Sequence, residues 1–492
     1  MTQRPDLPNI EGLDKVFIAG KFVVSEGGEM RDVICPADEE VIAQVMEPSN
    51  ADADKAVAAS RRAFDNGPWP HMHVNERADA CQRLADAIEK RLPELNVAWM
   101  LEAGAPLPHG EMINSGAGKM IWRNAIEKAR GLKFEERREG PMGSTIIRRE
   151  PLGVVLSILT YNGPVVLMGM KVIPVLLAGC PVIVKFAPES PLTSRLLAEA
   201  FAEADLPEGV VSILAAGTEV TQFLVGHADV DVVALTGGTS IAIDVVNRTS
   251  PRLARTLLEL GGKSPAIIAD DAPLDTVLPT LIDGASGFLG QVCVNLSRIL
   301  VSEKRYDEVV EAMGEAYRSL KVGLPWEEGV DRGPLAVERA RDRSEAMTNR
   351  AVEQGARIVA GGRRPAHLSK GWFYEPTLLA NVTNDMEIAQ EEVFGPVTSV
   401  LSYRDLDDAI AIANDSKYGL AASVYTQDAD IAMDVARRIH SGGVAINTAG
   451  VSLTEPFGGV KQSGWGRECG AEGIFEFTDI KQVLLSGSYL NA

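Results

Sequence analysis

From Pro151 onward, short apolar runs alternate with stretches of helix length. Val154-Val-Leu-Ser-Ile-Leu precedes Pro164 to Ala178, and Val182-Ile-Val-Lys185 precedes Pro191 to Ala204. Val210-Val-Ser-Ile-Leu precedes a short helical piece from Glu219, and Val230 to Leu235 precedes a helix from Ser240. Apolar runs this short, spaced by helices this long, predict parallel strands buried on both faces, a doubly wound α/β sheet. A second alternation opens after Glu259 with Ala266-Ile-Ile-Ala, the helical Asp275–Phe288 and Ile299-Leu-Val-Ser, and runs to about Lys461.

The rest of the chain frames these two alternations. Residues 1–50 read as strand-rich. Asn50 to Phe64 has apolar residues at helical spacing behind a capping position, and Gly67-Pro-Trp-Pro stops it. Helical patterns return from about Asn75 to Ala103 and from Ser115 to Arg130. Phe134 to Arg149 carries a Gly-Pro-Met-Gly turn and predicts a two-stranded excursion. A chain of 492 residues exceeds one simple core, so two or three domains are expected. The formal charge of −20 disfavours nucleic acid and anionic membranes as partners. The most apolar run, Pro164 to Phe186, is interrupted by Lys171, Pro174 and Pro181, so a lipid-spanning helix is not expected.

The five cysteines, Cys35, Cys81, Cys180, Cys293 and Cys469, are odd in number and widely spaced. Together with an N-terminus lacking an apolar signal core, they predict a reducing, cytoplasmic setting without disulfides. His71-Met-His73 lies beside a proline-rich turn without further ligands in register, so no metal site is expected.

The chemistry concentrates between Glu259 and Arg298. Glu259-Leu-Gly-Gly-Lys-Ser-Pro opens this stretch, and Phe288-Leu-Gly-Gln-Val-Cys293 stands near its end. A thiol and a carboxylate suit covalent capture of a carbonyl followed by hydrolysis of the acyl intermediate. Gly-Gly-Lys-Ser is not a P-loop end, because Leu257 stands where that motif needs its first glycine. In this order the two motifs resemble the signatures of the NAD(P)-dependent aldehyde dehydrogenase superfamily, and the similarity runs from about Cys35-Pro36 to the C-terminus.

The resemblance implies a Rossmann-like NAD(P)-binding domain from residues 1–131 and 150–258, and a catalytic domain from 259–461. It also implies an oligomerisation arm from 132–149 and 478–492, giving a homodimer or homotetramer. It assigns Cys293 as nucleophile, Glu259 as deacylation base and Asn162 as oxyanion donor, with Lys171 and Glu468 as a proton relay. It places NAD, with NADP possible, on Thr160, Tyr161, Lys185, Pro188, Glu189, Thr236, Gly237, Gly238, Leu260, Gly261, Glu392 and Phe394. No G-x-G-x-x-G follows a strand, so the usual dinucleotide fingerprint is missing.

Two departures bear on the coenzyme. Pro188 replaces a glutamate common in the family, with Glu189 one place later, which leaves NAD against NADP open. Gly238 replaces a frequent serine, so phosphate must be held by backbone there. By the same carry-over the aldehyde pocket comprises Gly163, Leu167, Met170, Val292, Val294, Val451, Leu453 and Phe457, with Gly287 at a position often aromatic. This lining is apolar and roomy. It lacks an arginine clamp for a semialdehyde carboxylate and an aromatic cage for a quaternary ammonium. The expected substrate is a bulky, hydrophobic, terpenoid or aromatic aldehyde. The alternatives are a semialdehyde or CoA-acylating dehydrogenase, or a thiol-dependent esterase.

Overall fold

The computed structural model describes residues 3–485. Two large sheets organise it. The first orders its strands Gly464–Trp465, Arg255–Glu259, Val232–Thr236, Val155–Ile158, Val182–Phe186, Val211–Ala215, Val16–Ile18 and Lys21–Val23. Its five central strands, from Arg255–Glu259 to Val211–Ala215, are parallel. The strand beginning at Val155 comes first in sequence and sits in the middle. The chain winds one way from it through Val182 and Val211, then returns to Val232 on its other side. That reversal makes a crevice at the C-terminal ends of Val155–Ile158 and Val232–Thr236, the place where open α/β sheets bind ligands.

The second sheet has six parallel strands, in the order Thr377–Ala380, Val397–Tyr403, Leu296–Ser302, Ser264–Ile268, Ala421–Tyr425 and Gly443–Ile446. Arg357–Ala360 adds an antiparallel edge. The two sheets are joined through residues 260–263, between a strand that ends at Glu259 and one that begins at Ser264. The C-terminal edge of the first sheet therefore faces the N-terminal edge of the second. The two α/β alternations expected from the sequence each form a sheet of mainly parallel strands.

The excursion after Leu132 forms the hairpin Glu135–Gly140 and Gly143–Pro151, extended by Thr478–Leu485 into a three-stranded sheet. Residues 486–492 of the expected arm lie outside the described residues. Cys180 is buried beneath the first sheet, its thiol donating to the Phe477 carbonyl at 3.4 Å.

Several helices differ from the periodicity. The 75–103 pattern is two helices, Val74–Lys90 and Leu92–Ala103, because Pro93 cannot donate into the preceding turn. His73 caps the first of them, accepting from Asn75 N–H at 3.2 Å while its own N–H donates to Glu76 at 2.7 Å. The Pro164–Ala178 helix widens into a π turn at Met168–Val172. Pro174 has no N–H for the Met170 carbonyl, so the ladder loosens just where Met170 and Lys171 point inward. The 115–130 helix starts earlier, at Leu107, and passes through a π stretch at Glu111–Gly118. The Asp275–Phe288 helix ends at Ser286, because Phe288 and Leu289 take left-handed backbone angles.

Candidate active site

The seam between the sheets gathers the residues singled out above. Glu259 closes its strand, and its carbonyl accepts from Gly237 N–H at 3.0 Å, tying the base segment to the crevice. Gly261 and Gly262 follow. A Cβ on Gly262 would sit 2.5 Å from the carbonyl oxygen of Cys293, and one on Gly261 would overlap the Glu392 carboxylate. Only glycine lets the base segment, the thiol loop and Glu392 close on one another. Glu392 accepts from Gly262 N–H at 3.1 Å.

Cys293 is reached through a strained loop. Phe288 and Leu289 have φ of 45° and 50°, and Gly290 has 68°. Consecutive left-handed residues persist only where surrounding contacts over-determine them. Here the over-determining residue is Gln291, fully buried. Its side-chain oxygen accepts from Tyr161 Oη at 3.2 Å and from Ala336 N–H at 3.1 Å, and its amide donates to the Phe288 carbonyl at 3.2 Å. Asn162 completes the frame, donating from Nδ2 to the Gln291 carbonyl at 2.9 Å while Thr160 Oγ1 donates to its Oδ1 at 2.5 Å. One amide hydrogen of Asn162 thereby holds the thiol loop, and the second is left for another acceptor. Gln291 was visible in sequence only as part of the motif. Its clamping role depends on contacts with residues far away in the chain.

The electrostatics are severe. Burial pushes the Cys293 thiol up to about 12, with Glu392, Glu259 and Glu468 adding to the rise. Burial also lifts the Glu259 carboxyl well above the usual carboxylate range, and Glu468 lifts it further. Both Glu259 side-chain oxygens lack a hydrogen-bond partner although the residue is 3% exposed. A buried carboxyl without partners is costly, and such groups cluster at functional sites. Lys171 and Glu468 form an ion pair with side chains 0% and 1% exposed. Glu468 also pairs by backbone with Phe457 in both directions, at 2.8 and 2.7 Å.

Leu167, Met170, Val294, Val451, Leu453, Phe457 and Cys293 share one apolar cluster. Ile121, Val166, Leu420 and Cys469 belong to it as well and were not anticipated. A cavity of about 530 Å³ adjoins it at Val451 and Phe457. Val292 packs elsewhere, with Tyr161, Phe288 and Phe394, because it precedes the thiol by one residue and faces the opposite side of the loop. Gly163 and Gly287 leave open space: an added Cβ would meet Val166 at 3.8 Å and Asp283 at 3.7 Å. Arg298 is spent on structure, donating to the Lys263, Ile412 and Ala413 carbonyls and to Asn384 Oδ1.

The crevice of the first sheet encloses about 640 Å³. Thr160, Tyr161, Lys185, Pro188, Glu189, Thr236, Gly237 and Gly238 line it. The helix Thr239–Thr249 starts there with no side-chain cap, so its first N–H groups are available to an anion. A Cβ on Gly238 would meet nothing within 4 Å, and the hydroxyl of Thr236 is buried without a partner. This hydroxyl and the uncapped helix start, with Lys185 held down to about 8 by burial, fit a dinucleotide pyrophosphate and ribose. Leu260 and Gly261 lie outside the crevice: Leu260 packs its side chain into the core beside Leu235 and Leu258, and Gly261 abuts Glu392. Tyr161 lines the crevice but commits its hydroxyl to Gln291. Glu392 and Phe394 border a separate small pocket with Val292 and Lys263, on the thiol side of the seam. Among the described residues no cluster of three or more His, Cys, Asp or Glu is placed to hold a metal ion, and no helix is long and apolar enough to cross a membrane. All five cysteines are free thiols.

Known proteins resemble this chain in sequence and in fold. The profile of the aldehyde dehydrogenase family matches residues 22–483. A geranial dehydrogenase of Castellaniella defragrans is 39% identical over 476 residues, covering 96% of this chain and 98% of that protein. A Mycobacterium tuberculosis aldehyde dehydrogenase, solved in complex with NAD+, superposes with a TM-score of 0.95 at 41% identity, covering 97% of this chain and 99% of that one. A Staphylococcus aureus betaine aldehyde dehydrogenase, also solved with NAD+, gives 0.94 at 32% identity, covering 97% and 95%. A match over nearly the whole sequence, together with this fold, establishes that the chain belongs to the aldehyde dehydrogenase family.

Proposed function

We propose that this enzyme oxidises a bulky hydrophobic aldehyde to its carboxylic acid, with NAD+ as the preferred or shared coenzyme. The observation that carries the reading is the Cys293 thiol in an apolar cluster with Met170 and Phe457, its charged form opposed by the buried, unpartnered carboxyl of Glu259. Cys293 adds as thiolate to the aldehyde carbonyl. The free Nδ2 hydrogen of Asn162 and the Cys293 backbone N–H donate to the developing oxyanion. Bound NAD(P)+ supplies the hydride acceptor. Lys185, Glu189, Thr236, Gly237 and Gly238 hold its adenosine and pyrophosphate part, and Glu392 and Phe394 hold its nicotinamide half. Glu259 then takes a proton from water as it attacks the thioester, and the buried Lys171–Glu468 pair passes that proton onward. The exposed three-stranded arm joins copies of the chain into dimers or tetramers.

Support for a hydrophobic substrate comes from the apolar lining and from likeness to the geranial dehydrogenase. Each extra methylene desolvated equally in the transition state contributes about 0.8 kcal/mol, or roughly fourfold in kcat/KM. A panel from acetaldehyde through medium-chain to terpenoid and aromatic aldehydes, run with NAD+ and NADP+, tests this. Efficiency is expected to climb with apolar size, and Gly163→Val to cut activity on the large aldehydes most. Highest efficiency on acetaldehyde or succinic semialdehyde would refute the substrate reading.

A further inference from the structure

The far end of the crevice carries an ion pair whose arginine the catalytic scheme leaves unused. Glu189 follows the strand Val182–Phe186 of the first sheet, and Arg339 lies in the first turn of the helix Glu338–Glu353 that packs on the second. Arg339 Nη2 donates to Glu189 Oε1 at 2.5 Å, and both residues line the crevice beside Lys185 and Pro188. The Glu189 side chain is 15% exposed and that of Arg339 72%. The acid is thus largely enclosed, and the guanidinium lies over it with most of its surface open.

A guanidinium has five N–H donors, and only one is engaged here, on Glu189. The local charge has a plain consequence for a nucleotide. An uncompensated carboxylate at this point would accept from a ribose hydroxyl and would repel a ribose phosphate. A carboxylate already paired with arginine keeps an oxygen for the hydroxyl while its repulsion of a phosphate is cancelled. The remaining guanidinium hydrogens suit a phosphate, which arginine binds in a forked geometry.

We propose that the Arg339–Glu189 pair sets the coenzyme preference, with Arg339 as the residue that admits a 2′-phosphate. This rests on the proposed use of NAD(P) in the crevice. The pair makes the site dual in specificity. Glu189 serves the 2′-hydroxyl of NAD, and Arg339 both neutralises Glu189 and meets the 2′-phosphate of NADP.

The test is calorimetric titration of the full-length protein with adenosine 2′,5′-bisphosphate and with 5′-AMP, so that no turnover is needed. The wild type is expected to bind the bisphosphate at least as tightly as 5′-AMP. Arg339→Ala should weaken the bisphosphate about tenfold or more, through loss of an attraction and exposure of a repulsion, and change 5′-AMP less than about twofold. Glu189→Gln should tighten the bisphosphate, and the double variant should recover part of the loss. Equal weakening of both nucleotides by Arg339→Ala, or no change in either, overturns the proposal while leaving nucleotide binding intact. Failure of the wild type to bind either probe overturns the proposal together with the coenzyme reading beneath it.

Discussion

Cys293 and Glu259 each resist their charged form. Burial and three carboxylates hold the thiol up at about 12, and burial with Glu468 holds the Glu259 carboxyl high. Each negative charge near the thiol disfavours thiolate, so removing one must favour it. Glu259→Gln should therefore move the pH midpoint of Cys293 alkylation by iodoacetamide to lower pH. The same variant should release about one equivalent of reduced coenzyme per site in a rapid burst. Steady turnover should then fall on the order of 10²–10⁴-fold, the usual contribution of a general base. Loss of the burst as well would move Glu259 from deacylation to thiol activation. An alkylation midpoint that stays put or rises would contradict the electrostatic account.

At the scale of elements, function depends on how closely three segments approach. Gly262 lies where a Cβ would sit 2.5 Å from the Cys293 carbonyl oxygen, so Gly262→Ala must push the thiol loop or the base segment aside. Such overpacking costs about 1–3 kcal/mol, and displacement of a reacting group by about 1 Å costs about 10²-fold in rate. The variant is expected to fold, melt a few degrees lower and lose about 10²-fold or more in kcat. Wild-type kcat with normal alkylation of Cys293 would show that the approach is not needed. The Gly261-Gly262 motif was legible in the sequence, though not its packing against Glu392 and the Cys293 carbonyl; the strands were legible because parallel strands buried on both faces read as unbroken apolar runs. The π turn at Met168–Val172 was not legible, since helical spacing hides one extra residue per turn. Nor were the left-handed Phe288 and Leu289, the Gln291 clamp or the Arg339–Glu189 pair. These arise from contacts between distant parts of the chain, which no local pattern encodes. Val292 shows the same limit at single-residue resolution. It sits next to the thiol's segment in sequence yet packs on the Tyr161 and Phe394 side.

Across the whole molecule, one part has little core of its own. The sheet of Glu135–Gly140, Gly143–Pro151 and Thr478–Leu485 stands largely in solvent, and Ile480 and Leu484 are 59% and 49% exposed. Those two residues are four apart on one strand and share a face. An exposed sheet with free edges and apolar side chains invites pairing with another chain. The formal charge of −20 opposes association of copies, though screening confines that repulsion to about 10 Å at 0.1 M salt. For copies to associate, apolar burial at the arm has to outweigh it. Sedimentation at micromolar concentration is expected to give dimers or tetramers. Ile480→Asp combined with Leu484→Asp removes two apolar contacts worth about 1.5–3 kcal/mol each and adds two further negative charges. Dimer dissociation should rise about 10²–10⁴-fold, shifting the protein toward monomer as ionic strength falls. A monomeric wild type, or a double variant with unchanged mass, would show that copies do not meet through the arm.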